Sequence, residues 1–108
     1  MTLYSRYLKE REDFECIESD LGFATYKCQG HECYLRDIYV IPEQRKSRIA
    51  WDMADKVVEI AKSKGCTVLL GSVALNSKSP KASHDVLKAY GFKFLKELPN
   101  LIIYSKEI

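Results

Sequence analysis

Three small groups of residues in this chain are of types that do chemistry. Arg45, Lys46 and Arg48 crowd into "IPEQRKSRIAW", where an apolar run gives way to helical spacing at Ile49. A strand, a short polar turn and a helix start together form a cradle for anions. The first amides of a helix have no intrahelical partners, and the helix dipole adds positive charge there. Such cradles commonly contain glycine, and this one has none. A second basic pair, Lys78 and Lys81, follows the apolar run "CTVLLGSVAL". Two nearby basic clusters suit a small polyanion, whereas either alone reads as solvated surface. The third group is Cys28, His31 and Cys33 in "CQGHEC". Its spacing matches no usual zinc finger and shows no fourth ligand, so a metal site is disfavoured. Cys28 and Cys33 flank a turn and could form a redox-sensitive pair. Buried small side chains are the default reading of such cysteines.

These residues need a frame to position them. "FECIES" and "FATYKC" read as strands around the turn "SDLG", with Gly22 as its permissive residue. "FATYKC" and "CYLRDIYVI" flank "QGHE" and read as a hairpin, the second strand ending at Pro42. Ile49, Met53, Ala54, Val57, Ile60 and Ala61 recur at helical spacing, with Ser47 as N-cap and Gly65 past the end. "CTVLLGSVAL" has no polar face and reads as an interior strand. Ser79-Pro80 opens a second helix and Gly91 closes it. A final hairpin turns at "PN". The first dozen residues are ambiguous between a short helix and an irregular strand.

The order is therefore β-β-β-α-β-α-β-β, an α/β chain with a mixed central sheet, antiparallel at both ends. Its two central strands are expected to be parallel and joined by a right-handed helical crossover. Ligands of open α/β sheets bind beyond the carboxyl ends of such strands. That places a site at Val40–Arg48 and Leu75–Lys81, where the basic residues cluster.

Bulk properties narrow the setting. A length of 108 residues fits one domain, residues 1–108, and 46% hydrophobic with 30% charged residues is an ordinary globular balance. A net charge of +2 does not suggest nucleic acid. No apolar run approaches the ~20 residues that cross a bilayer. The start lacks the apolar core of a secretory signal, so a cytoplasmic protein with reduced cysteines is expected.

From Tyr34 onward the sequence resembles the acetyl-CoA-binding core of the GNAT-family N-acetyltransferases. Arg45-Lys46-Ser47-Arg48-Ile49-Ala50 falls on the family's loop, [RQ]-x-x-G-x-[GA], with Arg48 where glycine is usual. "LKAYGFKFLKE" resembles the family's second helix running into its next strand. The resemblance implies acetyl-CoA as co-substrate, its pyrophosphate on the amides of Arg45–Ala50. It implies a pantetheine arm along Ile38, Tyr39 and Val40, with Asn76 contacting it. It also implies an amine acceptor, which a shallow acceptor side would allow to be a protein.

The same resemblance exposes departures. The family's usual acid is a tyrosine four residues before the Gly-Phe pair, and here Leu87 stands there. His84, one turn earlier on the same face, and Ser83 are the candidate substitutes. Asp37, or Glu32, is the candidate base, and Tyr90 is expected to face the core. Few residues precede "FECIES", as in the short members carried by phages and mobile elements. A second copy in a homodimer could then complete the acceptor wall. The competing expectation is a GNAT-like binding or inhibitor protein that holds CoA without turning it over.

Overall fold

The structure, a computed structural model, describes residues 2–45, 48–76 and 80–108, with residues 80–83 described as backbone. Lys46, Ser47, Lys78 and Ser79 lie outside the described residues, as do the side chains of Lys81 and Ser83. The elements are α1 (Leu3–Glu12), β1 (Glu15–Ser19), β2 (Gly22–Gln29), β3 (Glu32–Val40), a 3-10 turn (Pro42–Gln44), α2 (Ile49–Ser63), β4 (Val68–Ala74), α3 (Pro80–Tyr90), β5 (Lys93–Leu98) and β6 (Leu101–Glu107). They form one six-stranded sheet in the order β1-β2-β3-β4-β6-β5. Among the described residues, only β3 and β4 run parallel. After α1, the element order is the one expected from the sequence.

The ambiguous start is a helix. Thr2 caps it, its side chain accepting from the Ser5 amide, and Asp13 ends it in the left-handed region. Its apolar face is thin: Leu8 is 1% exposed, while Leu3, Tyr4 and Tyr7 remain exposed. So narrow an apolar stripe leaves little periodicity to read in advance.

The core lies between the sheet and α2. Met53, Ala54, Val57 and Ala61 from α2 pack on Ala24, Tyr26, Cys33, Leu35, Leu69 and Val73. Each large side chain buried there contributes about 1.5–3 kcal/mol. After α3, Gly91 takes φ +111°, and the amides of Gly91 and Phe92 close on the carbonyls of Lys88 and Leu87. That left-handed stop lets Phe92 turn back into the core.

Two irregularities shape the sheet where β2 and β3 approach their outer ends. Thr25 pairs with Asp37 but Tyr26 pairs with Leu35, so Arg36 is an extra residue in β3. This bulge shifts the side-chain alternation by one position. Cys33 and Leu35 face the core before it, and Ile38 and Val40 after it. Asp37 and Tyr39 therefore turn to the opposite face. The second irregularity is Gly22. It does not adopt the left-handed conformation expected of a turn glycine. Its role is close approach: a Cβ there would lie 2.0 Å from the Tyr39 carbonyl oxygen.

Gly22→Ala should therefore force β2 and β3 apart at this end and cost about 1–3 kcal/mol. Urea unfolding of the two proteins checks this, and an unchanged midpoint would refute the close approach.

Candidate functional site

The strands β3 and β4 pair only over Glu32–Tyr34 and Val68–Leu70. Beyond that point they diverge, although β3 continues to Val40 and β4 to Ala74. Where they still touch, the Tyr34 hydroxyl and Ser72 hydroxyl share a hydrogen bond of 2.7 Å. Above it opens a cleft of about 570 Å³, within the usual range for a small-molecule site. Asp37, Ile38 and Val40 line one wall, Gly71, Ser72 and Val73 the other. Ala50, Trp51 and Ala54 of α2 and Leu87 and Tyr90 of α3 complete it.

The walls suit a long, thin ligand. Ala50 and Ala54 lie one turn apart on α2 and carry only methyl groups, which leaves a groove along that helix. Gly71 lets Phe92 and Leu87 come within 3.3 Å and 3.5 Å of where its Cβ would be. From Leu35 onward the β4-facing edge of β3 has no strand partner among the described residues, so its amides and carbonyls can bind an amide-bearing chain. The α2 start stands at the mouth and brings the positive end of the helix dipole to it. Arg48 precedes it with φ −83° and ψ 3°, a right-handed conformation that costs no strain. The missing glycine is thus unnecessary: no left-handed residue is needed at this position. An acyl-CoA fits this donor set, with the α2 start for phosphates and the open β3 edge for the arm.

The sequence-derived candidates separate into groups. Asp37, Ile38, Val40, Arg45 and Ala50 line the cleft. Tyr39 turns away and stacks on Phe23, ring centroids 5.5 Å apart. Ile49 packs against the core, and Arg48 and Asn76 are exposed outside the cleft lining. His84 also leaves the cleft: its imidazole bonds the Tyr104 hydroxyl on β6 and packs edge-on against that ring. Lys46, Ser47 and the Ser83 side chain are outside the described residues. Glu32, the other candidate base, is exposed beside the hairpin turn, at the closed end of the strand pair. All four cysteines are unpaired thiols, with Cys28 directly opposite Cys33.

Asp37 is held rather than loose. It accepts from the Thr25 hydroxyl and from Arg36 Nε, each at 3.1 Å. Arg36 in turn donates through both terminal nitrogens to Glu12, at 3.2 Å and 3.1 Å, and lies 4.1 Å over the Phe14 ring. Arg45 is also committed: its Nε donates to the Val40 carbonyl at 2.9 Å, and its guanidinium covers Tyr39.

Tyr90 packs against the core as expected, its ring 6.0 Å from that of Phe92. It also lines the cleft, which was not expected from the sequence, and its hydroxyl donates to Asp55 Oδ1 at 2.6 Å. Its ring rests against Trp51, centroids 6.2 Å apart. The signal lay in helix spacing: Tyr90 is three residues from Leu87, and Trp51 and Asp55 are four apart. Burial first, and then the Asp55 carboxylate, push the Tyr90 phenol above the usual tyrosine range.

The chain matches the Acetyltransferase (GNAT) family over residues 5–92. It is 40% identical over 77 residues to thialysine N-epsilon-acetyltransferase of Bos taurus, a match covering 70% of this chain and 42% of that enzyme. The chain thus spans about two fifths of the length of that relative. Among solved structures, PaiA N-acetyltransferase of Thermoplasma acidophilum in complex with coenzyme A superposes with a TM-score of 0.76 at 18% identity. That match covers 94% of this chain and 66% of the other. An acetyltransferase of Thermus thermophilus gives a TM-score of 0.75 at 16% identity, covering 95% and 70%. At these identities the structural likeness concerns the fold.

A proton held more tightly by folded Tyr90 than by the unfolded chain stabilises the fold fully below about pH 10 and loses that contribution as pH rises further. Tyr90→Phe should cost about 0.5–1.5 kcal/mol at neutral pH through the lost Asp55 bond. It should also show a shallower alkaline loss of stability than the parent. Denaturant titrations across the alkaline range check this, and parallel curves would refute it.

Proposed function

Because the chain belongs to the acetyltransferase (GNAT) family, we propose that it transfers an acetyl group from acetyl-CoA to an amine. The observation that carries this reading is the cleft itself. The opening between β3 and β4, with the α2 start at its mouth, lies wholly within the residues that match the family.

The chemistry is the attack of an amine nitrogen on the thioester carbonyl carbon. A C–N bond forms, the C–S bond breaks, and the sulfur leaves as thiolate. A lysine-type amine, with a reference pKa of about 10.4, must first lose a proton. Asp37 is our choice for the base. It lines the cleft, and the hydrogen bonds from Thr25 and Arg36 fix its carboxylate in place. An unpaired amide on the β3 edge would polarise the carbonyl. Leu87 cannot return a proton to the thiolate, so sulfur leaves as the anion or takes a proton from water. The name of the bovine relative points to an amine on a lysine-like side chain as the acceptor class.

No helix among the described residues is long and apolar enough to cross a membrane. We place the activity in the cytoplasm, which suits four unpaired thiols. A homodimer is part of the same reading. The edge strand β5 is exposed along its length, with Phe94 at 61% and Leu95 at 50%. Antiparallel self-pairing centred on Leu95 would set Lys93 of one copy opposite Glu97 of the other, twice. The second reading is a protein that holds CoA without turnover, and Leu87 in the acid position is the feature that favours it.

Release of CoA thiol from acetyl-CoA with lysine, thialysine and lysine-bearing peptides tests the transfer. Turnover should appear with at least one amine. Asp37→Asn should lower kcat about 10²-fold or more, and Ala50→Trp should abolish acetyl-CoA binding by filling the groove. Binding without turnover on any amine would establish the second reading, and no binding would remove both. Light scattering should give twice the monomer mass, and a monomer at all concentrations would refute the dimer.

A further inference from the structure

Resting on the acetyl-CoA reading above, we propose that Trp51 and Arg48 form the seat for the nucleotide end of the coenzyme, with Tyr90 as the positioning residue behind Trp51. Coenzyme A has two chemically distinct halves. One is a flexible arm that ends in the thiol. The other is an adenosine bearing a diphosphate and a 3′-phosphate. The largely apolar opening between β3 and β4 accommodates the first. The second needs a flat surface for the base and positive charge for the phosphates.

Both stand together at the start of α2. Trp51, in the first turn, lines the cleft and is only partly buried. The Arg48 guanidinium lies 5.8 Å over its ring. Arg48 is 72% exposed, and its ion-pair partner Asp52 is 3.9 Å away, so this cation can swing to a ligand phosphate. Arg45 cannot do so as readily, because the Val40 carbonyl and the Tyr39 ring engage it. A weakly held arginine over an indole, at the positive end of a helix, matches a base attached to phosphates better than it matches an uncharged ligand.

The indole is itself braced. Tyr90 packs on Trp51 at an interplanar angle of 60°, and its hydroxyl is tied to Asp55, one turn further along α2. The brace spans two helices and fixes the ring before any ligand arrives. Stacking a base on a prepared ring loses less freedom than stacking on a mobile one.

Trp51 is the sole tryptophan of the chain, so intrinsic tryptophan fluorescence reports from this seat alone. The probes are CoA, adenosine 3′,5′-bisphosphate for the nucleotide half, and S-acetylpantetheine for the arm. CoA and the bisphosphate should each change Trp51 emission more than acetylpantetheine does, since the arm only shares the cleft that Trp51 lines. By calorimetry, Trp51→Ala should weaken CoA and the bisphosphate about ten-fold and acetylpantetheine by clearly less, while Trp51→Phe restores most of the affinity. Tyr90→Ala should lower Trp51 fluorescence anisotropy together with CoA affinity, and Tyr90→Phe, which keeps the ring, should rescue both. If CoA binds with unchanged emission and Trp51→Ala binds it as the parent does, the nucleotide lies elsewhere and only this inference falls. If no CoA binds by calorimetry, the acetyltransferase reading falls with it.

Discussion

The structure depends on how briefly β3 and β4 stay together. A parallel pair of this kind is normally zipped along its length, with ladder bonds filling the space between. Here the ladder stops after Tyr34 and Leu70, and the strands diverge over the remainder of their length. The divergence is sustained from above. The α2 crossover is anchored in the core by Met53, Val57 and Ala61, so it cannot sink between the strands. From below, the Tyr34–Ser72 bond fixes the point of parting. The result is a cavity lined by strand edges, whose β3 backbone groups have no strand partner on that side among the described residues.

Around that opening the fold divides the work between two faces of the sheet. The α2 and α3 side is apolar and small-featured, with Ala50, Ala54 and Leu87 on its surface. The α1 side carries charge: Glu12, Arg36 and Asp37 form a connected network that reaches the cleft from behind. Electrostatic control thus comes from one side and shape from the other. The two helices of the apolar side are also joined to each other, through Tyr90 and Asp55. A helix that rests mainly on β4 gains a lateral support there.

Most of the sheet was legible because its signals are local. The hairpin around Gly30, the uniform apolar run of β4 and the glycine that stops each of α2 and α3 are written in adjacent residues. Of the loop expected to cradle phosphates, Arg45 and Ala50 line the cleft. What could not be read were facts about how elements lie on one another. Helical spacing put His84 on the face of Leu87, yet the lie of α3 brings His84 to Tyr104. The same lie brings Tyr90, which packs on the core as expected, also against Trp51. Gly22 looked like a turn residue, and only the nearness of Tyr39 shows that it serves packing. The missing glycine at position 48 looked like a defect until the backbone there proved right-handed.

The bulge at Arg36 also decides where β3 can change length. Leu35 and Asp37 already pair with the adjacent residues Tyr26 and Thr25, so position 36 stands outside the count that the ladder keeps. A chain lacking that one residue could zip without interruption and still present Ile38 and Val40 to the core. It would lose the arginine link between Glu12 and Asp37, but not the facing of the strand. The same gap at Tyr39 would carry Val40 to the opposite face, because no spare residue stands there to absorb it. Within a strand, where gaps are ordinarily ruinous, this chain therefore has one place of slack. Descendants of it could differ in length at that point while keeping the same wall on the cleft.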